Sequence, residues 1–240
     1  MQRAELADRL KAMGVVGAGG AGFPTHVKLA SACRTVIING AECEPLLESD
    51  KHLLHRETER ILDALALAVA ACGAERGVVA VKGRYKQVVT QLREAAASRT
   101  RLSVHELENY YPAGDEHSVV REVTGVSVPP LGLPLNVGCI VQNVETMRNV
   151  GRAVEGIPVT SRFLTCGGAV ARPAIVEARI GISFRTVIEA CGGALPEEYV
   201  ILAGGPMMGT IVRDIDTPVT KLTSGLIVLP ADHRLVAVLT

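Results

Sequence analysis

The residues with the clearest chemical potential lie near the start of the chain, in Gly17-Ala18-Gly19-Gly20-Ala21-Gly22-Phe23-Pro24-Thr25-His26-Val27-Lys28. Gly17, Gly19, Gly20 and Gly22 let the backbone approach a ligand with no Cβ in the way, and Pro24-Thr25 predicts the opening of a helix. Unsatisfied N–H groups at a helix start favour an anion, and Lys28, one turn further on, adds a full positive charge. The expected ligand is a phosphate-bearing cofactor, and a flexible glycine loop between two helices is the alternative. The spacing Gly17-x-Gly19-x-x-Gly22 satisfies the dinucleotide fingerprint in form, but that fingerprint follows a strand. Here residues 3–13 place Leu6, Leu10 and Met13 at helical spacing, so a helix precedes the glycines.

A second group is Asn39-Gly-Ala-Glu42-Cys-Glu44-Pro45, an amide and two carboxylates just past a predicted strand. Carboxylates at such an edge accept from ribose hydroxyls, and a neutral amide bonds a heterocyclic ring; a solvated acidic loop is the competing reading, and the preferred one for Glu48 and Asp50. Gly114-Asp115-Glu116, beside Tyr110 and Tyr111, is a further glycine–acid pair in a turn. With Phe23, these tyrosines offer flat surfaces to a planar ring, or else cover a core edge. His52 and His55 are i, i+3 on a predicted amphipathic helix and read as surface residues, so no metal is assigned. No residue has the pattern of a catalytic acid, base or nucleophile. The six cysteines contain no C-x-x-C pair, which excludes a zinc ribbon or ferredoxin cluster motif and favours buried thiols.

The elements that must hold these residues alternate. Thr35-Val-Ile-Ile-Asn39, Gly77-Val-Val-Ala-Val-Lys82, Leu102-Ser-Val-His105 and Gly138-Cys-Ile-Val-Gln142 read as strands, and Tyr85 to Ala97 as an amphipathic helix. Ser49 is placed to cap a long helix running to Cys72, stopped by Gly73, and Asn143 to cap the helix after the last of these strands. The pattern predicts an α/β fold with a mostly parallel sheet covered on both faces. A boundary is expected near Gly156-Ile-Pro158, and beyond it Arg162 to Cys166, Ala174 to Ala178, a helix from Ser183 to Cys191 and Tyr199 to Ala203 form a small ββαβ unit like the ubiquitin grasp. The predicted domains are 1–158, 159–211 and 212–240, the last holding the strand Ser224 to Pro230 and an apolar end, Val236-Ala-Val-Leu-Thr240, that reads as truncated.

Lys+Arg and Asp+Glu both total 25, so no net field draws the chain to nucleic acid or an anionic membrane. The longest apolar run, Ile61 to Cys72, is too short to span a bilayer, and the charged N-terminus is unlike a signal peptide, so a cytoplasmic protein is expected.

Taken together, GAGGAGFPTHVK, NGAECEP, YPAGDE and QNVET, in that order, resemble the flavin-binding domain of one family. It comprises the NADH-oxidising subunit of respiratory complex I, the related subunit of the Rnf electron-transport complex and the cobalamin reductases of propanediol-utilising microcompartments, the last group being the most similar. RFLTCGGAVARPAIVEARIG and LAGGPMMG resemble the SLBB domain that follows in all three. The resemblance implies a Rossmann-like FMN domain, then a β-grasp SLBB domain, with hydride transfer from NADH to FMN. Electrons would pass to 4Fe-4S clusters whose cysteine motifs are absent from this chain, and on to a corrinoid-bearing or ferredoxin-like partner, in or near a microcompartment. It further implies that Gly17, Gly19, Gly20, Gly22 and Lys28 hold the FMN phosphate. Asn39, Asn143 and Thr146 meet the ring and ribityl chain, Gly114 and Asp115 complete the cofactor site, and Phe23, Glu42, Glu44 and Glu116 face the dinucleotide. Ala18 and Ala41 stand where the complex I protein has arginine and aspartate, which bears on NADH more than on FMN. An Rnf-type ferredoxin oxidoreductase module and a non-catalytic docking module are the alternatives.

Overall fold

The computed structural model describes residues 1–239 and divides into two compact units. The first holds Met1–Gly17, Phe23–Cys43 and Asp50–Val159; the second holds Ala18–Gly22, Glu44–Ser49 and the chain from Thr160.

In the first unit the elements are α1 (Arg3–Ala12), α2 (Thr25–Leu29), β1 (Thr35–Gly40), α3 (Ser49–Arg56), α4 (Thr58–Cys72), β2 (Arg76–Lys82), α5 (Lys86–Ala96), β3 (Leu102–Leu107), α6 (Glu116–Thr124), β4 (Cys139–Asn143) and α7 (Val144–Val154). The strands form one parallel sheet in the order β3-β2-β1-β4, as the β-branched runs predict. Parallel strands joined by helices leave both faces to be covered, and they are. On one face Ile37, Ala80, Leu107 and Val141 pack against Val119 and Val120 of α6. On the other, α4 lies on β1 and β2 and against α7. Fully buried Ile61, Leu62 and Leu65 each contribute about 1.5–3 kcal/mol to that layer. Gly77 permits the close approach of α4, since a Cβ there would stand 2.9 Å from Leu65 and Val69.

The single helix expected from Ser49 to Cys72 is broken. Glu57 leaves helical geometry at φ −123, ψ 33, and the Thr58 hydroxyl donates back to the Leu54 carbonyl at 2.5 Å. Glu57 turns its carboxylate to Arg148 Nε at 2.7 Å. A hydroxyl competing for a helix carbonyl and a long-range ion pair together end α3. Around the break lies an open cleft of about 810 Å³ lined by Arg56, Glu57, Arg60, Gln91 and Arg148 among others, none of them a residue singled out from the sequence for chemistry.

In the second unit β5 (Ser161–Gly168), β6 (Ala174–Arg179), α8 (Phe184–Ala190), β7 (Tyr199–Ala203), β8 (Thr210–Val212), β9 (Gly225–Pro230) and α9 (Arg234–Leu239) follow in order. The sheet is mixed, in the order β6-β5-β9-β7-β8, so the late strand β9 lies between β5 and β7. Ser183 caps α8 through Thr186 N, and Phe184, Val187 and Ile188 bury its apolar side against Leu164, Ile201 and Val228. The α/β reading with a second mixed unit is thus borne out. Among the described residues no helix is long and apolar enough to cross a membrane. Thr240, the last residue of the apolar end, lies outside the described residues.

Candidate functional site

The carboxyl ends of β1, β2 and β4 lie side by side in the first unit, and parallel sheets bind ligands at that edge. Asn39 and Asn143 are register partners there. Asn39 Nδ2 donates to the Gly114 carbonyl at 2.8 Å and its Oδ1 accepts from Ala41 N at 3.2 Å, so the amide ties the loop before α6 to the strand end. The loop comes so close that a Cβ on Gly114 would lie 3.1 Å from both Ala41 Cβ and Cys43 Sγ, and Gly114 N donates to that sulfur at 2.9 Å. Asp115 caps α6 by accepting from His117 N at 3.0 Å and Ser118 N at 3.1 Å. Tyr110 donates to Glu122 at 2.9 Å, which pushes its phenol above the ordinary value, and both Tyr110 and Tyr111 are exposed.

Glu116 is engaged with Lys28, whose Nζ stands 2.7 Å from Oε1, 3.1 Å from the Val141 carbonyl and 5.8 Å from the centre of the exposed Phe23 ring. This links α2 to the start of α6 along the β4 edge. Asn143 caps α7 by accepting from Glu145 N at 2.9 Å and Thr146 N at 3.3 Å, and its Nδ2 donates to Asp50 Oδ2 at 2.6 Å. Asp50 is therefore a helix residue with an amide partner rather than part of a solvated loop. Glu42, at φ 41, accepts from Asp50 N and Lys51 N at 2.9 Å each, satisfying the opening of α3. Thr146 is fully buried in the first turn of α7. Gly17 N donates to the Phe23 carbonyl at 2.8 Å and closes the base of the glycine loop.

The remaining expected residues, Gly19, Gly20, Gly22 and Glu44, belong to the second unit. Ala18 beside them accepts from Arg162 Nη2 at 2.8 Å, and Gly22 at φ 64 faces Leu222. Glu44 Oε2 accepts from Met207 N at 3.0 Å, while its Oε1 is buried with no hydrogen bond.

The amides and carboxylates of the first unit thus build the edge by bonding one another. Two other groups there are buried with nothing to bond, Thr25 Oγ1 at the first residue of α2 and Gln142 Nε2 at the end of β4. Lys82 at the end of β2 is 4% exposed as a residue, and its ammonium, which reaches solvent, has no partner in the protein. Burying a polar group without a partner costs about 1–3 kcal/mol, which singles out Thr25 and Gln142 as candidate ligand contacts. Sequence reasoning named none of them as a ligand group. Lys82 and Gln142 simply terminate apolar strands, a pattern equally suited to a solvated strand end.

Residues 10–152 match the family model described as the Nuo51 FMN-binding domain. The chain belongs to this family. Residues 164–211 match the SLBB domain, so the family and its second domain, read from the ordered motifs, are both borne out. The chain is 45% identical over 232 residues to "Cobalamin reductase PduS" of Citrobacter freundii, covering 96% of this chain and 51% of that protein. It is 39% identical over 241 residues to a component of the "Na(+)-translocating ferredoxin:NAD(+) oxidoreductase complex" of Acetobacterium woodii, covering 96% and 54%. It spans about half the length of these curated relatives. A chain of an NAD+-reducing [NiFe]-hydrogenase in the H2-reduced state has the same fold, with TM-score 0.82 and 23% identity over 99% of this chain and 48% of that one.

The first unit's residues fit a flavin mononucleotide. Thr25 and Gln142 can both donate hydrogen bonds, and the phosphate oxygens and ring carbonyls of FMN accept them. Cys43 supplies a probe of this edge. Cys33, Cys72, Cys139, Cys166 and Cys191 are buried, whereas Cys43 is only half-buried, and burial together with contact to Cys191 pushes the Cys166 thiol up to about 12. Iodoacetamide at pH 8 is expected to label Cys43 well before the others, as read by peptide mass spectrometry. Early labelling of Cys166 would contradict this placement.

Proposed function

We propose that residues 1–158 form an FMN-binding domain, which binds FMN at the carboxyl edge of the parallel sheet and takes electrons from NADH. Family membership supports the flavin, and the observation that carries the site is the pair of buried donors with no partner, Thr25 Oγ1 and Gln142 Nε2. FMN would supply the hydride and one-electron chemistry, so the protein needs no acid or base of its own. Its residues bind and orient. Thr25 and Lys28, with Gly17 at the loop base, hold the phosphate; Gln142 donates to the ligand at the β4 end; Asn39, Asp115 and Asn143 keep the surrounding loops and helix starts rigid. Glu42 and Glu116 line the approach of the dinucleotide, with Phe23 as a flat surface. For Gly19, Gly20, Gly22 and Glu44 the same assignment rests on the sequence motif alone.

The acceptor reading follows the 45% identity to cobalamin reductases against 39% to the ferredoxin-linked relative. We place the chain as the flavin module of a cytoplasmic, microcompartment-associated corrinoid reductase whose iron–sulfur clusters lie outside these 240 residues.

The test is FMN titration of the purified chain, followed by flavin fluorescence quenching. Thr25→Val and Gln142→Leu keep side-chain volume and remove the donor. Each is expected to weaken FMN roughly two- to tenfold, the worth of about 0.5–1.5 kcal/mol for a neutral hydrogen bond, while thermal stability holds or rises. Wild-type affinity in both variants would refute the site. Lys28→Met, which removes a charged donor, is expected to cost roughly ten- to a hundredfold by the same titration.

A further inference from the structure

Lys82 is the one lysine among the described residues that is buried, at 4% exposed, and its ammonium makes no hydrogen bond or ion pair. Its stem is buried, but the Nζ atom keeps contact with solvent, so an anion from outside the chain can reach it. No carboxylate among the described residues does so. Glu106 sits on the next strand but pairs with Val81, not Lys82, and is held by Lys86 at 3.2 Å and Arg93 at 2.8 Å. Glu116, on the helix that covers this face, is bonded to Lys28.

The face and position of Lys82 are set by register. Ala80, two residues earlier, and Leu107, its partner on β3, both belong to the core beneath α6, so Lys82 points to the α6 face at the carboxyl edge. Asn39 is register partner to Ala80, which puts the Asn39–Gly114 clasp on the adjoining strand end. Lys28, by contrast, reaches the Val141 carbonyl on β4. With β1 between β2 and β4, and Val141 level with Val78, four residues before Lys82, the two backbone positions are about 10 Å apart across the sheet and about 13 Å apart along it. An anion held at α2 is therefore not the counter-ion of Lys82, and the edge has a second cationic position.

We infer that Lys82 is the binding residue for a phosphate oxyanion of a bound nucleotide, the dinucleotide's diphosphate being the source that the spacing favours over the FMN phosphate. The inference rests on the nucleotide-binding reading above and adds a residue and a second anion position to it. An ammonium that has no partner in the protein and opens to solvent gains its counter-ion only on binding, which a purely structural lysine does not do.

The experiment compares wild type, Lys82→Met and Lys82→Arg in the full chain, with inorganic pyrophosphate, FMN and NADH as separate probes by calorimetric titration, and thermal melts of the free proteins. Lys82→Met is expected to weaken pyrophosphate and NADH roughly ten- to a hundredfold, to spare FMN, and to melt at the same temperature as wild type or higher. Lys82→Arg is expected to restore much of the anion affinity. Loss of FMN instead of NADH assigns the oxyanion to the flavin phosphate. A wild-type chain that takes up no FMN yet binds pyrophosphate through Lys82 refutes the flavin reading and leaves this inference standing. Unchanged affinity for all three probes in Lys82→Met, no pyrophosphate or nucleotide binding by wild type, or a lower melting temperature with unchanged pyrophosphate affinity overturns it.

Discussion

Gly168→Val is expected to destabilise the second unit by about 2–5 kcal/mol, a large share of a small unit's total stability. Gly168 ends β5 at φ 76, a conformation in which a Cβ meets the neighbouring carbonyl, at about 1–2 kcal/mol for an ordinary L residue. The space is also taken. A Cβ here would overlap the Val228 carbonyl of β9 and stand 3.0 Å from Ile227 Cγ2 and Val228 N. The obstacle is backbone in a central strand, so it cannot rotate away, and overpacking adds about 1–3 kcal/mol. Gly181 is the control, because at φ 95 it has nothing within 4 Å of the same Cβ position. Gly181→Ala should cost only about 1 kcal/mol, the conformational part. Urea melts of both variants decide the matter: equal losses would mean that conformation alone, not the approach of β9, sets the requirement for glycine at Gly168.

The contrast between strands and connections explains what was legible in the sequence. Thr35 to Asn39 and Gly77 to Lys82 are continuous apolar, β-branched runs bounded by glycine, and such runs can be buried only as strands of a covered parallel sheet. Gly73 stopped α4 where expected, at φ 67. The break at Glu57 was not legible, because Leu54 and Ile61 continue one apolar face straight through it. α3 ends with the Thr58 hydroxyl bonded to the Leu54 carbonyl and Glu57 paired with Arg148, 91 residues away, and the second of these is invisible to a local reading.

The site shows the same division. Residue types and order pointed to the family, since glycine-rich approach, strand-edge amides and acids are local features. The bonds those residues make were not local. Asn39 is 75 residues from Gly114, Lys28 is 88 from Glu116, and Asn143 is 93 from Asp50. Groups read as ligand contacts are thereby committed to each other, and the groups left over, Thr25, Gln142 and Lys82, are identified only by the absence of such a partner.

Asn143→Asp tests whether Asn143 acts as frame or as ligand contact, and it should produce a pH-dependent loss on the order of 2–4 kcal/mol at pH 7. Aspartate caps a helix as well as asparagine, so the bonds to Glu145 N and Thr146 N survive. The other side-chain atom, however, changes from a donor to a carboxylate oxygen 2.6 Å from Asp50 Oδ2. Two carboxylates at that separation cannot both ionise without strong repulsion, so the pair holds one proton and its folded pKa rises above the unfolded carboxylate value. A raised carboxylate binds more protons folded than unfolded, so stability falls as pH increases through that pKa and recovers as pH decreases toward about 4. Urea melts from pH 4.5 to 8 should show the deficit of Asn143→Asp shrinking on acidification. Adding Asp50→Asn exchanges the donor and acceptor, and should restore stability and abolish the extra pH dependence. The same double variant then decides the role: retained FMN affinity assigns Asn143 to the frame, whereas restored stability with lost affinity means that its amide itself meets the flavin. A single variant whose deficit is the same at every pH would show that Asn143 and Asp50 do not share the short bond on which this account rests.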